Sequence, residues 1–153
     1  MARRALTIAA AGVIFAGGWL GGALTAQPVR KYFAAGTMTA VTSPAFSRAV
    51  LVGDTLYLSG AIGVDAERRV PDTAEAEAQA VLASVQDTLR EAGMTMDDLV
   101  SVQVFCSDVS HYDAFNKVYR TFFTKELPAR AFIGSGRLLF GARFEVQGVA
   151  VRR

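Results

Sequence analysis

Two charged residues stand where a plain β-sheet would not place them. Arg130 lies at the entrance of a short apolar run, residues 131–133, and Glu145 lies inside a second, residues 144–151. Charged side chains are depleted in strand interiors and are almost never fully buried unless paired. An arginine offers a planar fork that matches a carboxylate, and a carboxyl group in apolar surroundings is tuned toward acid–base work. The two residues therefore offer a grip for an acidic substrate and a carrier for protons. They are equally compatible with an ion pair to each other, or with two side chains that face water.

The remaining reactive side chains offer less. The chain has one cysteine, Cys106, and one histidine, His111. A single thiol excludes an intramolecular disulfide, and one Cys with one His argues against a protein-ligated zinc site. Cys106 lies in the strand-like run SVQVFCSD, where a buried thiol behaves as a small hydrophobe. A nucleophilic cysteine would want a nearby base and an electropositive setting.

The elements that position these residues follow from periodicity and punctuation. Residues 27–36 read as a linker and GTMTAVTS, residues 36–43, as a first short β-prone run. A hairpin follows, with strands over 48–52 and 55–59 around a Gly53-Asp54 turn. Gly60 and Gly63 then mark a backbone that bends or approaches something closely. Asp72, with Glu75 three residues later, fits the start of a helix. Its apolar face is Ala74, Ala78, Val81, Leu82, Val85, Leu89 and Ala92, and Gly93 ends it. A strand over 99–106 leads to a second helix with Ser110 as its cap and Tyr112, Phe115, Tyr119 and Phe122 as its stripe. That stripe reads as core packing rather than as an aromatic binding box. Asn116, a poor helix former in mid-helix, either faces water or is kept for a specific hydrogen bond.

The order is β, β-hairpin, α, β, α, β, β. Two amphipathic helices on a sheet of five or six strands make a single α+β domain. With both helices on one face, the Val-, Leu- and Phe-rich strands leave an apolar face that calls for contacts between copies. The length of 153 residues, with 52% hydrophobic and 20% charged residues, suits one globular domain with a short extension.

The extension is at the N-terminus. After Arg3 and Arg4 no charge appears until Arg30, and the span between is rich in Ala and Gly. Residues 1–26 read as a signal peptide or as an uncleaved membrane anchor with the arginines on the cytoplasmic side. The expected location is outside the cytoplasm, periplasmic or extracellular, or on the inner membrane if the anchor is kept. The chain carries a net charge of +2, but residues 1–26 hold two arginines and no acid, so the remainder has 14 basic and 14 acidic residues. Such a domain lacks the basic excess that nucleic-acid binding requires.

Several pieces occur in a recognisable order: GDTLYLSGAIG at 53–63, LREAG at 89–93, DDLVSVQVFCSDVSHYDAFNKVY at 97–119, FF at 122–123, PAR at 128–130 and FEVQGVAVRR at 144–153. In these the chain from about residue 43 to 153 resembles the RidA (reactive intermediate deaminase, YjgF-like) family. The resemblance implies a chorismate-mutase-like fold, a mixed five- to six-stranded sheet with two helices packed on one face. It also implies a homotrimer with sites in the clefts between subunits. The implied activity is hydrolysis of enamine and imine intermediates of amino acids to 2-keto acids and ammonia, without metal or cofactor. By position, Arg130 matches the arginine that grips the substrate carboxylate, and Glu145 the acid that handles water or a proton. Asn116 matches an asparagine of the second helix, and Ser59, Gly60 and Ile62 lie in the segment that lines the pocket.

Three positions depart from the pattern of many active members. Phe46 stands for a tyrosine, Ala61 for a glutamine and Phe132 for a cysteine, which implies a different and more apolar pocket around the substrate. A non-catalytic module that holds a small carboxylate in the same cleft is the competing reading, and RNA cleavage is a third.

Overall fold

The computed structural model describes residues 28–35 and 45–153. The leader at 1–26 and the β-prone run at 36–43 lie outside the described residues. Within the segment read as a linker, Arg30–Ala34 is a strand, β1, which pairs antiparallel with β2, Ser47–Val52. A two-residue turn at Gly53-Asp54 returns the chain as β3, Thr55–Ile62, and Gly53 supplies the positive φ (+59°) that the tight reversal needs.

Helix α1 spans Ala74–Glu91. Its cap is Thr73, one residue beyond the expected Asp72, and the Thr73 hydroxyl accepts from the Ala76 amide at 3.2 Å. All seven residues of the expected apolar face are buried. The helix ends at Gly93 (φ +72°) through paired bonds from Met94 N to Leu89 O and from Gly93 N to Arg90 O, the Schellman arrangement. After β4, Leu99–Cys106, a short 3₁₀ turn leads into α2, Tyr112–Tyr119. Asp108 rather than Ser110 caps this entry, its carboxylate accepting from Ser110 N at 2.9 Å. Strands β5, Ala129–Gly134, and β6, Phe144–Val151, complete the chain.

The six strands form one mixed sheet in the order β1-β2-β3-β6-β4-β5, parallel only between β4 and β5. Both helices cover the same face. Their apolar sides close over Leu56, Leu58, Val102, Val104, Phe144, Val146 and Ala150, so the expected α+β architecture holds. The opposite face carries Tyr57, Ile133 and Val151, all partly open to solvent. Among the described residues, no helix is long and apolar enough to cross a membrane.

Candidate active site

Arg130 reaches the helix side of the sheet because its register partner Val102 is a buried core residue. There its Nη2 donates to Asn116 Oδ1 at 2.7 Å. Asn116 is buried in mid-helix, and it is the bond to Arg130 that uses it. Four rings surround the guanidinium: Tyr119 at 4.5 Å from Cζ to ring centroid, Phe132 at 5.7 Å, Tyr112 at 5.9 Å and Phe115 at 6.0 Å. Such faces attract a cation, most strongly where water is excluded. The stripe read as core packing therefore does double duty. Phe115 does fill the core, against Phe144, but with Tyr112, Tyr119 and Phe132 it also frames Arg130. Two polar atoms in this cage are buried without a hydrogen-bond partner, Arg130 Nη1 and the Tyr119 hydroxyl. Burial pushes the Tyr119 phenol up to about 12, although Arg130 beside it pulls the other way.

Glu145 occupies the other face. It pairs in register with Ile62 of β3 and Phe105 of β4, the row turned away from the helices. A cavity of about 620 Å³ opens over it, lined in part by Phe46, Ser59, Gly60, Ile62 and Gln147. The cavity exists because β3 bulges: Leu58 pairs with Gly148 and Ala61 with Val146, so Ser59 and Gly60 together oppose the single residue Gln147. The bulge brings Gly60 under the Glu145 carboxylate, where a Cβ would lie 1.8 Å from Oε1. Ser59 is held in place by its hydroxyl, which donates to Ser47 O at 2.7 Å. Gly63 is the second close approach, since a Cβ there would meet the Glu77 carbonyl of α1 at 2.5 Å.

The eight candidate residues thus fall into two groups. Arg130, Asn116 and Phe132 gather at the β5 edge under α2, whereas Glu145, Phe46, Ser59, Gly60 and Ile62 gather in the cavity on the opposite face. Arg130 and Glu145 form no ion pair with each other, which disposes of the simplest alternative. Of the three departures, Phe46 lines the Glu145 cavity and Phe132 the arginine cage, while Ala61 turns toward the core and away from both. Cys106 is buried, donates to Asp108 O at 2.9 Å and has its pKa pushed up by burial, so it is no nucleophile. Among the described residues no cluster of His, Cys, Asp or Glu is arranged to hold a metal.

Two contributions were not read from the sequence. Glu77, fully buried on α1, accepts from the backbone N–H groups of Arg143 at 2.6 Å and Phe144 at 3.0 Å and from Arg143 Nη1 at 2.8 Å. It fixes the start of β6, one residue before Glu145. Only its lone acidic character on an otherwise apolar helix face, next to Ala78 and Val81, marked it in advance. Arg68 and Phe140 also line the cavity, from loops whose positions relative to β6 carry no local signal.

A family model described as Endoribonuclease L-PSP matches residues 37–152. The chain belongs to this family, the RidA (YjgF-like) proteins. Among curated relatives, the 2-iminobutanoate/2-iminopropanoate deaminase of Rattus norvegicus is 36% identical over 110 residues, covering 71% of this chain and 80% of the relative. Among solved structures, RidA from the Antarctic bacterium Psychrobacter sp. PAMC 21119 superposes with a TM-score of 0.68 at 28% identity, covering 71% of this chain and 89% of that one. The YjgF gene product of E. coli gives a TM-score of 0.71 at 30% identity, covering 80% and 99%. The architecture of the described residues is that of the RidA family, a chorismate-mutase-like fold.

Proposed function

We propose that this RidA-family chain is a deaminase that hydrolyses imines, and enamines after tautomerisation, of 2-amino acids to 2-keto acids and ammonia. The active form would be a homotrimer whose sites are each shared by two copies. The observation that carries the reading is the division of the two charged groups between opposite faces of one sheet. No site within one chain unites them, but the β5 edge of one copy laid against the cavity of another would. Curated relatives named as imine deaminases support the reaction class.

In such a site Arg130 holds the substrate carboxylate. Its Nη1 is a buried donor with no protein acceptor, and an unmet buried donor is a standing penalty of about 1–3 kcal/mol that a carboxylate relieves. Asn116 and the ring cage keep the fork aimed. Glu145, over the bulge, takes a proton from water as the water oxygen bonds to the carbon of the iminium, the imine already protonated on nitrogen, and the C=N electron pair returns to nitrogen. Glu145 then gives that proton to the amine nitrogen, the C–N bond breaks, ammonia leaves, and the carbinol O–H returns its proton to Glu145 as the C=O forms, from where it passes to the departing ammonia as ammonium. Imine and water are consumed, keto acid and ammonia result, and no electrons change hands. The apolar wall at Phe46 and Ile62 keeps bulk water from competing with the positioned one.

The test generates imines in place with an amino-acid oxidase and measures keto-acid release above the uncatalysed rate. Arg130→Ala and Glu145→Gln should each be inactive alone. Mixing the two chains under conditions that exchange subunits should restore about one site in four, because one copy supplies the arginine and the other the glutamate. No recovery on mixing sinks the shared site. Thermal stabilisation by small acids that requires Arg130 but not Glu145, with no turnover by the wild type, would make the chain a binding module instead. We also propose that residues 1–26 export or anchor the domain, which fractionation of cells with and without that segment would decide.

A further inference from the structure

We infer that the preferred substrates are imines whose side chain ends in a carboxylate, and that Arg68 reads that distal charge. This rests on the shared-site reading above and extends it to the substrate class. The cavity over Glu145 holds one cation among its lining residues, Arg68. Its neighbour Arg69 is committed to Asp65 at 2.7 Å and Glu67 at 3.1 Å, whereas Arg68 forms no ion pair among the described residues. The loop that presents it is tied down: Arg68 N donates to Asp65 O at 3.0 Å, Asp65 N donates to Arg69 O at 3.1 Å, and the Asp65 carboxylate accepts from the amides of Glu67 and Arg69.

What holds the Arg68 side chain at the cavity is a ring. Its Cζ lies 5.0 Å from the centroid of Phe140, which lines the same cavity from the loop between β5 and β6. Arg68 (φ +62°) and Phe140 (φ +59°) are the two non-glycine residues with positive φ among those described. Backbone of this kind is disfavoured for residues with a Cβ and persists where surrounding structure imposes it. Two loops remote in sequence are thus each held in an unfavourable conformation where they meet over the Glu145 cavity.

Size and polarity select the ligand. 2-Iminopropanoate, named for the curated relatives, has six heavy atoms, and even at a water's share of about 30 Å³ per atom it fills only about 180 Å³. The cavity is about 620 Å³. Phe46, Ile62, Leu139 and Phe140 make much of its lining apolar, and Arg68 is the one cation among the lining residues. A methylene stem with a terminal carboxylate matches that combination of apolar lining and single positive charge. A side chain ending in an ammonium meets a like charge, and a short one leaves Arg68 unused.

The experiment compares imines made in place from glutamate and from norleucine, which have side chains of similar length with and without the distal charge. The variant is Arg68→Asn, because asparagine accepts the positive φ and keeps the loop folded; a melting curve checks this. Wild type should favour the glutamate imine by about tenfold in kcat/KM, and Arg68→Asn should erase that preference while the norleucine imine stays within about threefold of wild type. Equal rates on both imines in the wild type overturn the inference. So does a parallel loss on both in Arg68→Asn, which would make Arg68 the grip for the α-carboxylate. If the wild type accelerates neither imine, the deaminase reading itself fails, an outcome distinct from the other two.

Discussion

Adding one methyl group at Gly60 should remove catalysis while leaving the fold almost untouched. A Cβ on Gly60 would lie 1.8 Å from Glu145 Oε1, 2.8 Å from Cδ and 3.1 Å from Cγ. Heavy atoms rest in contact at about 3.5–4 Å, so the carboxylate oxygen must retreat by about 1.7 Å. The displaced group is the free end of a side chain, with no backbone in the way. The structural penalty is then about that of an off-rotamer glutamate, roughly 0.5–1.5 kcal/mol. A misplacement of about 1 Å in a reacting group lowers rates by about a hundredfold, so Gly60→Ala should lose at least that factor in kcat/KM. Gly148→Ala is the contrasting case: its Cβ would meet the Ser101 carbonyl oxygen at 2.7 Å, a backbone atom that cannot step aside. It should depress the melting temperature first. The assays are imine hydrolysis and thermal denaturation on both variants. A Gly60→Ala protein that melts like wild type and hydrolyses imines within about threefold of it would refute the placement of Glu145 at the reacting carbon.

Three further outcomes follow from the same contacts. Asn116→Ala removes the acceptor 2.7 Å from Arg130 Nη2 and frees the fork to wander, so KM for carboxylate-bearing imines should rise by about tenfold with a smaller change in kcat. Glu77→Ala removes the carboxylate partner of Arg143, whose guanidinium keeps only the Pro71 and Asp72 carbonyls, and strands two backbone amides at the start of β6, so chemical denaturation should show a loss of about 3–5 kcal/mol. Tyr119 has a pKa in the folded protein of about 12, above that of a free phenol near 10, so its neutral form is the one the fold prefers. That contribution is complete below about pH 10 and is lost as pH rises toward 12, so alkaline titration of stability should fall across this window and fall less in Tyr119→Phe. At neutral pH the same substitution removes a buried hydroxyl without a partner and should leave stability unchanged or raise it by about 1 kcal/mol.

The elements that were legible in the sequence are those whose signal is local. The buried face of α1 and its glycine stop come from 3.6-residue spacing and a residue that tolerates positive φ, and both are found as read. The bounds of β4 and β6 likewise coincide with apolar runs at 99–106 and 144–151. Helix caps were less legible. Asp72 and Thr73 are adjacent acceptors, Asp108 and Ser110 stand two residues apart, and which one of each pair caps depends on where the first free amide falls after packing. The aromatic stripe of α2 was read as core because spacing shows which side chains share a face, not what the neighbouring strand brings to it. Arg130 arrives from β5, and only then does the stripe become a cage.

By itself, the sequence determined that this is one α+β domain with an arginine and a glutamate set in or beside apolar runs of its last strands, because periodicity, glycines and the type of each residue are properties of short segments. It could not determine that Arg130 and Glu145 stand on opposite faces. Side chains alternate along a strand, so a face is defined only once register is known, and here register depends on β6 inserting between β3 and β4 and on a bulge at Ser59-Gly60. Both are set by pairing between segments far apart in the chain. The same long-range pairing brings Arg68 and Phe140 to the rim of the Glu145 cavity, and so only the tertiary structure decided which charges a substrate in that cavity would meet.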